Sequence, residues 1–241
     1  MRVTEKTTIS EIVRESYNTA ELFEKNRIDF CCGGDNSLEK ACQKAGVDTG
    51  KIIPELESLM EEGDWDSRYV ERLPLDELCD YIMGRHHTYI NEKSPFIKQK
   101  LNKIAEVHGD NHPELHEVKK MFEAALSNLE AHMKKEELLV FPYIKKMVTF
   151  SKEGVNKPEE FGDFNISVSL MLNEHQTEGD RFNSMALITK KYTVPSDGCT
   201  TYEVTYKSLA EFERDLHRHI HLENNVLFPK ALELEKTLIN K

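Results

Sequence analysis

His132 and Glu136, and again His219 and Glu223, lie four residues apart, and each pair runs on to a Phe-Pro. His132-Met-Lys-Lys-Glu136 leads to Phe141-Pro142, and His219-Ile-His-Leu-Glu223 leads to Phe228-Pro229. Both copies read H-x-x-x-E-x-x-x-x-F-P. Four residues are about one helical turn, so each pair aims an imidazole and a carboxylate in one direction. Two such helices facing each other bring two nitrogen and two carboxylate ligands into one core. That donor set is suited to two metal ions.

The residues around each pair say where it points. One stretch carries apolar residues at Val118, Phe122, Ala125 and Leu129, then His132, Glu136 and Leu139. The other carries Leu209, Phe212 and Leu216, then His219, Glu223 and Val226. Steps of three and four are those of a bundle core. A single histidine there would more often be a core residue with a hydrogen-bond partner. A repeated His/Glu pair is different, because a buried carboxylate is costly unless a cation holds it. A third stretch offers His175 between Met171 and Phe182. A fourth offers His86 beside Ile82, or His87 beside Met83 and Ile90. Imidazole with carboxylate suits iron, and also manganese or zinc. No cysteine lies on these faces. Ferritin-like sites use Glu-x-x-His instead.

Elements that could position these residues are long helices. Gly and Pro are sparse, 11 and 8 in 241 residues, and no convincing alternating strand appears, so the expected class is all-α. Four long helices are predicted over 74–107, 113–149, 164–192 and 201–236, with a Thr200/Glu203 capping box opening the last. Residues 1–60 read as a small helical domain. Its third helix is expected to open on an Asn36/Glu39 capping box, and its fourth to hold Pro54 in the first turn. Residues 61–73 read as a linker, and 74–241 as the bundle.

With 43 acidic against 32 basic residues, the net charge of −11 gives no nucleic-acid footprint. No run of about 18 apolar residues predicts a membrane span. The N-terminus, MRVTEKTTISEIVRES, lacks the apolar core of a signal peptide, so a cytoplasmic location is expected. The five cysteines are read as thiols and not as a disulfide framework.

Taken together, the two H-x-x-x-E pairs and one histidine from each of two other helices resemble the hemerythrin-like di-iron bundle. Ile28-Asp29-Phe30-Cys31-Cys32-Gly33-Gly34 and the ending Asp215-Leu216-His217-Arg218-His219-Ile220-His221-Leu222-Glu223 narrow the resemblance. The chain resembles the repair-of-iron-centres family, iron-sulfur cluster repair di-iron proteins, from about residue 8 to about residue 232. The resemblance implies a small N-terminal helical domain and a hemerythrin-like antiparallel four-helix bundle. It implies two iron ions, oxo- or hydroxo-bridged, held by His87, His132, Glu136, His175, His219 and Glu223, with both glutamates bridging. Four histidines, two carboxylates and one bridging oxygen fill five positions on each iron and leave a sixth open. Damaged iron-sulfur proteins are the implied partners, and a homodimer the implied assembly.

Cys31-Cys32 stands before Gly33-Gly34 and an expected helix start, where a helix dipole would favour thiolate. The pair is expected to pass iron or exchange thiols with a client; two small buried loop residues are the plainer reading. Cys42 and Cys79 read as core, and Cys199 as an exposed loop thiol. His108 is either an outer partner or labile ligand of the centre, or a helix-end surface residue. Glu174 either shapes polarity near the metal or sits outside. His112, His116, His217 and His221 are expected at the surface. The leading expectation is repair of iron-sulfur clusters after oxidative or nitrosative stress by iron donation. The alternatives are a nitric oxide-reducing di-iron enzyme, and a sensor or carrier of oxygen or nitric oxide.

Overall fold

The described residues fold into helices, and the β pairing found among them is one isolated bridge, Thr8 to Ser37. The computed structural model describes residues 1–61, 69–70, 72–156 and 164–239. Most of the expected linker lies outside them. The helices are α1 (Ile9–Glu15), α2 (Thr19–Lys25), α3 (Leu38–Ala45) and α4 (Thr49–Glu61). Then α5 runs Leu75–Ile82, widens into a π turn at Met83–His87 and continues as Thr88–His108. Likewise α6 is Glu114–Lys135, a π turn at Glu136–Val140, and Phe141–Glu153. Helix α7 is Phe164–Ile188. Helix α8 is Thr200–Leu222, a π turn at Glu223–Leu227, and Phe228–Ile239. The chain divides into two compact units, one of residues 1–79, 147–164 and 220–241, the other of 80–146 and 165–219.

In the first unit, α1 opens on a capping box in which Thr8 and Glu11 satisfy each other's backbone N–H groups. The cap of α3 is Ser37, not Asn36: its hydroxyl accepts from the Lys40 N–H. Pro54 lies inside α4, not in its first turn, because Asp48 caps the chain earlier by accepting from the Gly50 N–H at 2.9 Å. The loop 28–37 is held on two sides. Gly34 and Asn36 carbonyls accept from Ser10 and Ile9 at the start of α1. On the other side, the Asn225 amide reaches the carbonyls of Phe30 (3.3 Å) and Cys31 (3.2 Å), and the Asn224 amide reaches that of Cys31 (3.2 Å). Gly34 is there because of this approach: a Cβ would stand 2.3 Å from Asn225 Oδ1. Both asparagines belong to the π turn that begins with Glu223.

The second unit contains four helical segments packed as a bundle, from α5, α6, α7 and α8. Phe122, Phe182 and Phe212 meet at its centre, with ring centroids 5.4–6.5 Å apart, and all three are fully buried. The expected core faces of α6, α7 and α8 are buried, with one exception. Leu139 is 67% exposed, and Val140 is buried in its place. The π turn explains the change, since one extra residue in the turn shifts every later side chain around the axis. Met83–His87 does the same on α5, where the adjacent His86 and His87 are both buried.

The repeated Phe-Pro accounts for two of the π turns. A helical proline lacks its N–H, and its ring collides with the carbonyl four residues back. For Pro142 and Pro229 those carbonyls belong to Leu138 and Asn225, each inside the π turn. Widening that turn relieves the collision. Helix α7 ends at Ile188, earlier than the expected 192, because Lys190, Lys191 and Tyr192 take left-handed φ of 51°, 58° and 54°.

Candidate metal centre

His87, Glu136 and His175 come from α5, α6 and α7, His132 from the turn of α6 before Glu136, and His219 from α8. Ligand atoms of His132, Glu136 and His175 lie within 4.8 Å of one another, and so do those of His87, Glu136 and His219. Glu136 stands between the two groups. Its Oε2 is 3.2 Å from His87 Nε2 and its Oε1 is 3.0 Å from His132 Nε2. His175 Nε2 is 2.9 Å from His132 Nε2. The His87 and His219 rings lie 5.1 Å apart. Every one of these residues is buried, and Glu136 has no exposed surface. Glu223 follows His219 by one turn on the same continuous helix and is equally buried.

Nε2 atoms turned toward one carboxylate, in a core, form a donor set that a cation would satisfy. The opposite ring nitrogens are held from outside. His87 Nδ1 is 2.8 Å from Glu137 Oε1, and His132 Nδ1 is 2.8 Å from Glu174 Oε2. Such carboxylate–histidine contacts fix tautomer and ring orientation. Glu174, left open by the sequence, therefore sits against His132, and it is also paired with Lys135. Burial pushes the Glu174 carboxyl up, but Lys135 and His132 outweigh it and leave the pKa below the ordinary value. Glu137 was missed by sequence reasoning; the doubled Glu136-Glu137 was the available signal.

His86 lies beside this group and not in it. Its Nδ1 is 3.1 Å from Asp215 Oδ2, and its ring is stacked on His219 at 5.6 Å. Burial lowers its pKa, which favours the neutral ring. The surface expectation for His217 and His221 is overturned: they are 7% and 2% exposed. For His221 the reason is the N-terminal loop, since its ring packs near Tyr17 and Phe30 and its Nδ1 contacts Asn225 at 3.0 Å. His116 is exposed and His112 half-buried.

His108 ends α5, 21 residues after His87. That is roughly 30 Å along the axis from His87, so His108 is not an outer partner of the centre. It faces Cys199 instead, with Nε2 3.3 Å from Sγ. Cys199 caps α8, its carbonyl accepting from Glu203, which displaces Thr200 from the expected capping role. The His108 ring, then the Tyr202 and Thr201 N–H groups, bring the Cys199 thiol down to about 7. Cys199 is exposed, so its thiolate is available to reagents. Iodoacetamide at neutral pH is expected to label Cys199 first. Its rate should fall as pH drops through about 7, where the thiol regains its proton. His108→Ala should move that inflection upward. An inflection already at the free-cysteine value of about 8.5 in the unaltered chain would refute the pairing.

Cys31 and Cys32 differ from the expected pair of thiols activated by a helix start and come nearer the plainer reading of small buried loop residues. Cys31 is buried and Cys32 half-buried. No helix starts beside them, since α3 begins at Leu38. The hydrogen bond with Cys32, burial and the nearby Asp29 together hold the Cys31 thiol well above its ordinary value.

Two family models match the chain in succession. A domain of unknown function, DUF542 or ScdA_N, matches residues 5–60, and the hemerythrin HHE cation-binding domain matches residues 80–231. Among similar curated proteins is the iron-sulfur cluster repair protein ScdA of Staphylococcus haemolyticus. It is 30% identical over 228 residues, covering 95% of this chain and 99% of the relative. The iron-sulfur cluster repair protein YtfE of Salmonella typhimurium is 32% identical over 227 residues, covering 93% and 96%. That of an Enterobacter species is 33% identical over 225 residues, again covering 93% and 96%. The second model alone spans more than half of the chain, its range encloses the histidine–carboxylate group, and the similarity to these relatives runs nearly end to end: the chain belongs to the hemerythrin HHE cation-binding family, among the iron-sulfur cluster repair proteins.

Proposed function

We propose that the protein holds two iron ions with His87, His132, Glu136, His175, His219 and Glu223, and donates iron to clusters damaged by oxidative or nitrosative stress. The observation that carries this reading is Glu136, fully buried, with one oxygen toward His87 and the other toward His132. That is the posture of a carboxylate bridging two cations. Glu223 would be the second carboxylate ligand by the repeated motif. Four imidazoles and two carboxylates suit iron. When bound, the irons supply an exchangeable, redox-active pair. The protein's part is to orient and enclose: Glu137 and Glu174 aim His87 and His132, and Phe141 covers the His87 ring at 5.8 Å.

Supporting the assignment of role, the relatives are named for cluster repair. We place the activity in the cytoplasm, with damaged iron-sulfur proteins as clients and a homodimer as the assembly. No helix among the described residues is long and apolar enough to cross a membrane. Residues 1–60 form the domain of the cysteine pair and 74–241 the metal-binding bundle, joined by 61–73.

The test is anaerobic reactivation of a nitric-oxide-damaged [4Fe–4S] dehydratase. Iron-loaded protein should restore activity with iron moving to the dehydratase, and metal-free protein should not. Retained iron with nitric oxide consumed in the presence of a reductant would instead make the bundle a nitric oxide-reducing enzyme. Reversible binding of nitric oxide or oxygen, with neither turnover nor iron transfer, would make it a sensor or carrier.

A further inference from the structure

Among the described residues, a third group of metal-type donors lies apart from the histidine–carboxylate core: Asp29, Cys31 and Cys32, whose ligand atoms fall within 4.8 Å of one another. The two Sγ atoms are 3.8 Å apart, and Cys31 Sγ is 3.4 Å from Asp29 Oδ1. For a tetrahedral ion with metal–sulfur bonds of about 2.3 Å and metal–oxygen bonds of about 2.0 Å, those spacings would be ~3.8 Å and ~3.5 Å. Two of the three spacings already match ligand separations, and the third is within 4.8 Å.

They are also held there. Asp29 Oδ1 accepts from the Cys31 N–H at 3.1 Å and from the Cys32 N–H at 2.9 Å, which fixes the carboxylate against the turn. Gly33 lets the turn close, since a Cβ there would stand 2.7 Å from the Asp29 carbonyl. Asn224 and Asn225 hold the Cys31 carbonyl from the other side, and Asn224 Nδ2 lies 3.9 Å from Cys32 Sγ. Two potential thiolates and a carboxylate kept this close repel one another when ionised. A divalent cation turns each repulsion into an attraction, the same reasoning that applies to the bundle core. Asp29 is exposed and Cys32 half-exposed, so a fourth position opens outward, where an ion can enter or leave.

We propose that Asp29, Cys31 and Cys32 form a mononuclear site for one divalent cation, separate from the bundle centre, which carries iron(II) in transit to a client. Thiolate with carboxylate suits iron(II), zinc and cobalt(II). The transit role rests on the iron-donor reading above; binding at the three residues does not. The loop is hydrogen-bonded to the two residues directly after Glu223, one of the proposed iron ligands. Binding displaces the thiol protons, so occupancy increases with pH.

Cobalt(II) is the probe, added anaerobically to the full chain after reduction and chelation. Thiolate-to-cobalt charge transfer in the near ultraviolet reports sulfur ligation, and the histidine–carboxylate core contains no sulfur to produce it. The expected result is a thiolate band that saturates at one cobalt per chain and is absent in Cys32→Ser. Asp29→Asn keeps the acceptor for both N–H groups and changes only the ligand. It should weaken cobalt at this band by at least the ~10- to 100-fold that outer-shell changes typically cost. Absence of the band in the unaltered chain overturns the proposal. So does a band that survives Cys31→Ser with Cys32→Ser and vanishes in Cys199→Ser, which would put the thiolate site beside His108. If the cobalt results hold but iron-loaded protein fails to reactivate the dehydratase, the donor reading falls and the site stands. If iron is delivered without any thiolate band, the site falls and the donor reading stands.

Discussion

Glu136→Ala is expected to empty both halves of the bundle centre in one step. Each carboxylate oxygen faces a different histidine group, at 3.2 Å and 3.0 Å, so alanine removes a ligand from both of the proposed cations. Iron counted per purified chain should fall to at most the one ion that the cysteine loop would hold. Glu137→Ala is the comparison, because Glu137 touches only the far nitrogen of His87. Its iron should bind more weakly by about 10- to 100-fold and not vanish. A second consequence has the opposite sign. Without metal, Glu136 is a carboxylate with no exposed surface, and such a charge is costly to bury. Metal-free Glu136→Ala should therefore melt no lower than metal-free unaltered protein. Near-normal iron in Glu136→Ala, or a collapse of its metal-free fold, would remove Glu136 from the bridging role.

Periodicity is enough to find the four bundle helices and the faces that three of them bury, because a helical stripe that stays apolar on both sides of a His/Glu pair or a histidine must face a core, while the first helix leaves His86 and His87 open. Local geometry is less legible. Nothing in a pattern of threes and fours announces a π turn, so the pattern points Leu139 inward where Val140 takes that position. The proline four residues after Leu138, and its counterpart after Asn225, are the signals that could have predicted the widening. Side chains that meet across sequence are also hidden. His221 is buried by Tyr17 and Phe30, more than 190 positions away in the chain, and helical position alone puts it in solvent. The cysteine pair also departs from expectation. Its chemistry depends on the hydrogen bond with Cys32, on burial and on Asp29, which hold the Cys31 thiol above its ordinary value and oppose the ionisation that a nearby helix start would have favoured.

Chelation should destabilise the protein by an amount visible in a melting curve. Cations that bind only the folded chain stabilise it by mass action, by about 4 kcal/mol at a thousandfold excess over the dissociation constant. For a chain of this size, each kcal/mol moves the melting temperature by about 2–4 °C. A gap of roughly 8–16 °C between iron-loaded and chelated protein follows from a single site at that excess. The physical origin is the core itself, where Glu136 is buried without exposed surface and its two oxygens face His87 and His132. In Glu136→Ala the two curves should nearly coincide, since the variant has little metal to lose. In Asp29→Asn the gap should persist, because the cysteine loop is bypassed by the bundle's own ligands. Calorimetry on the three chains, each with and without chelator, checks all of this together. Equal melting temperatures for loaded and chelated unaltered protein would mean that the buried carboxylates are accommodated by hydrogen bonds alone, and the cation would lose its place in the fold's energetics.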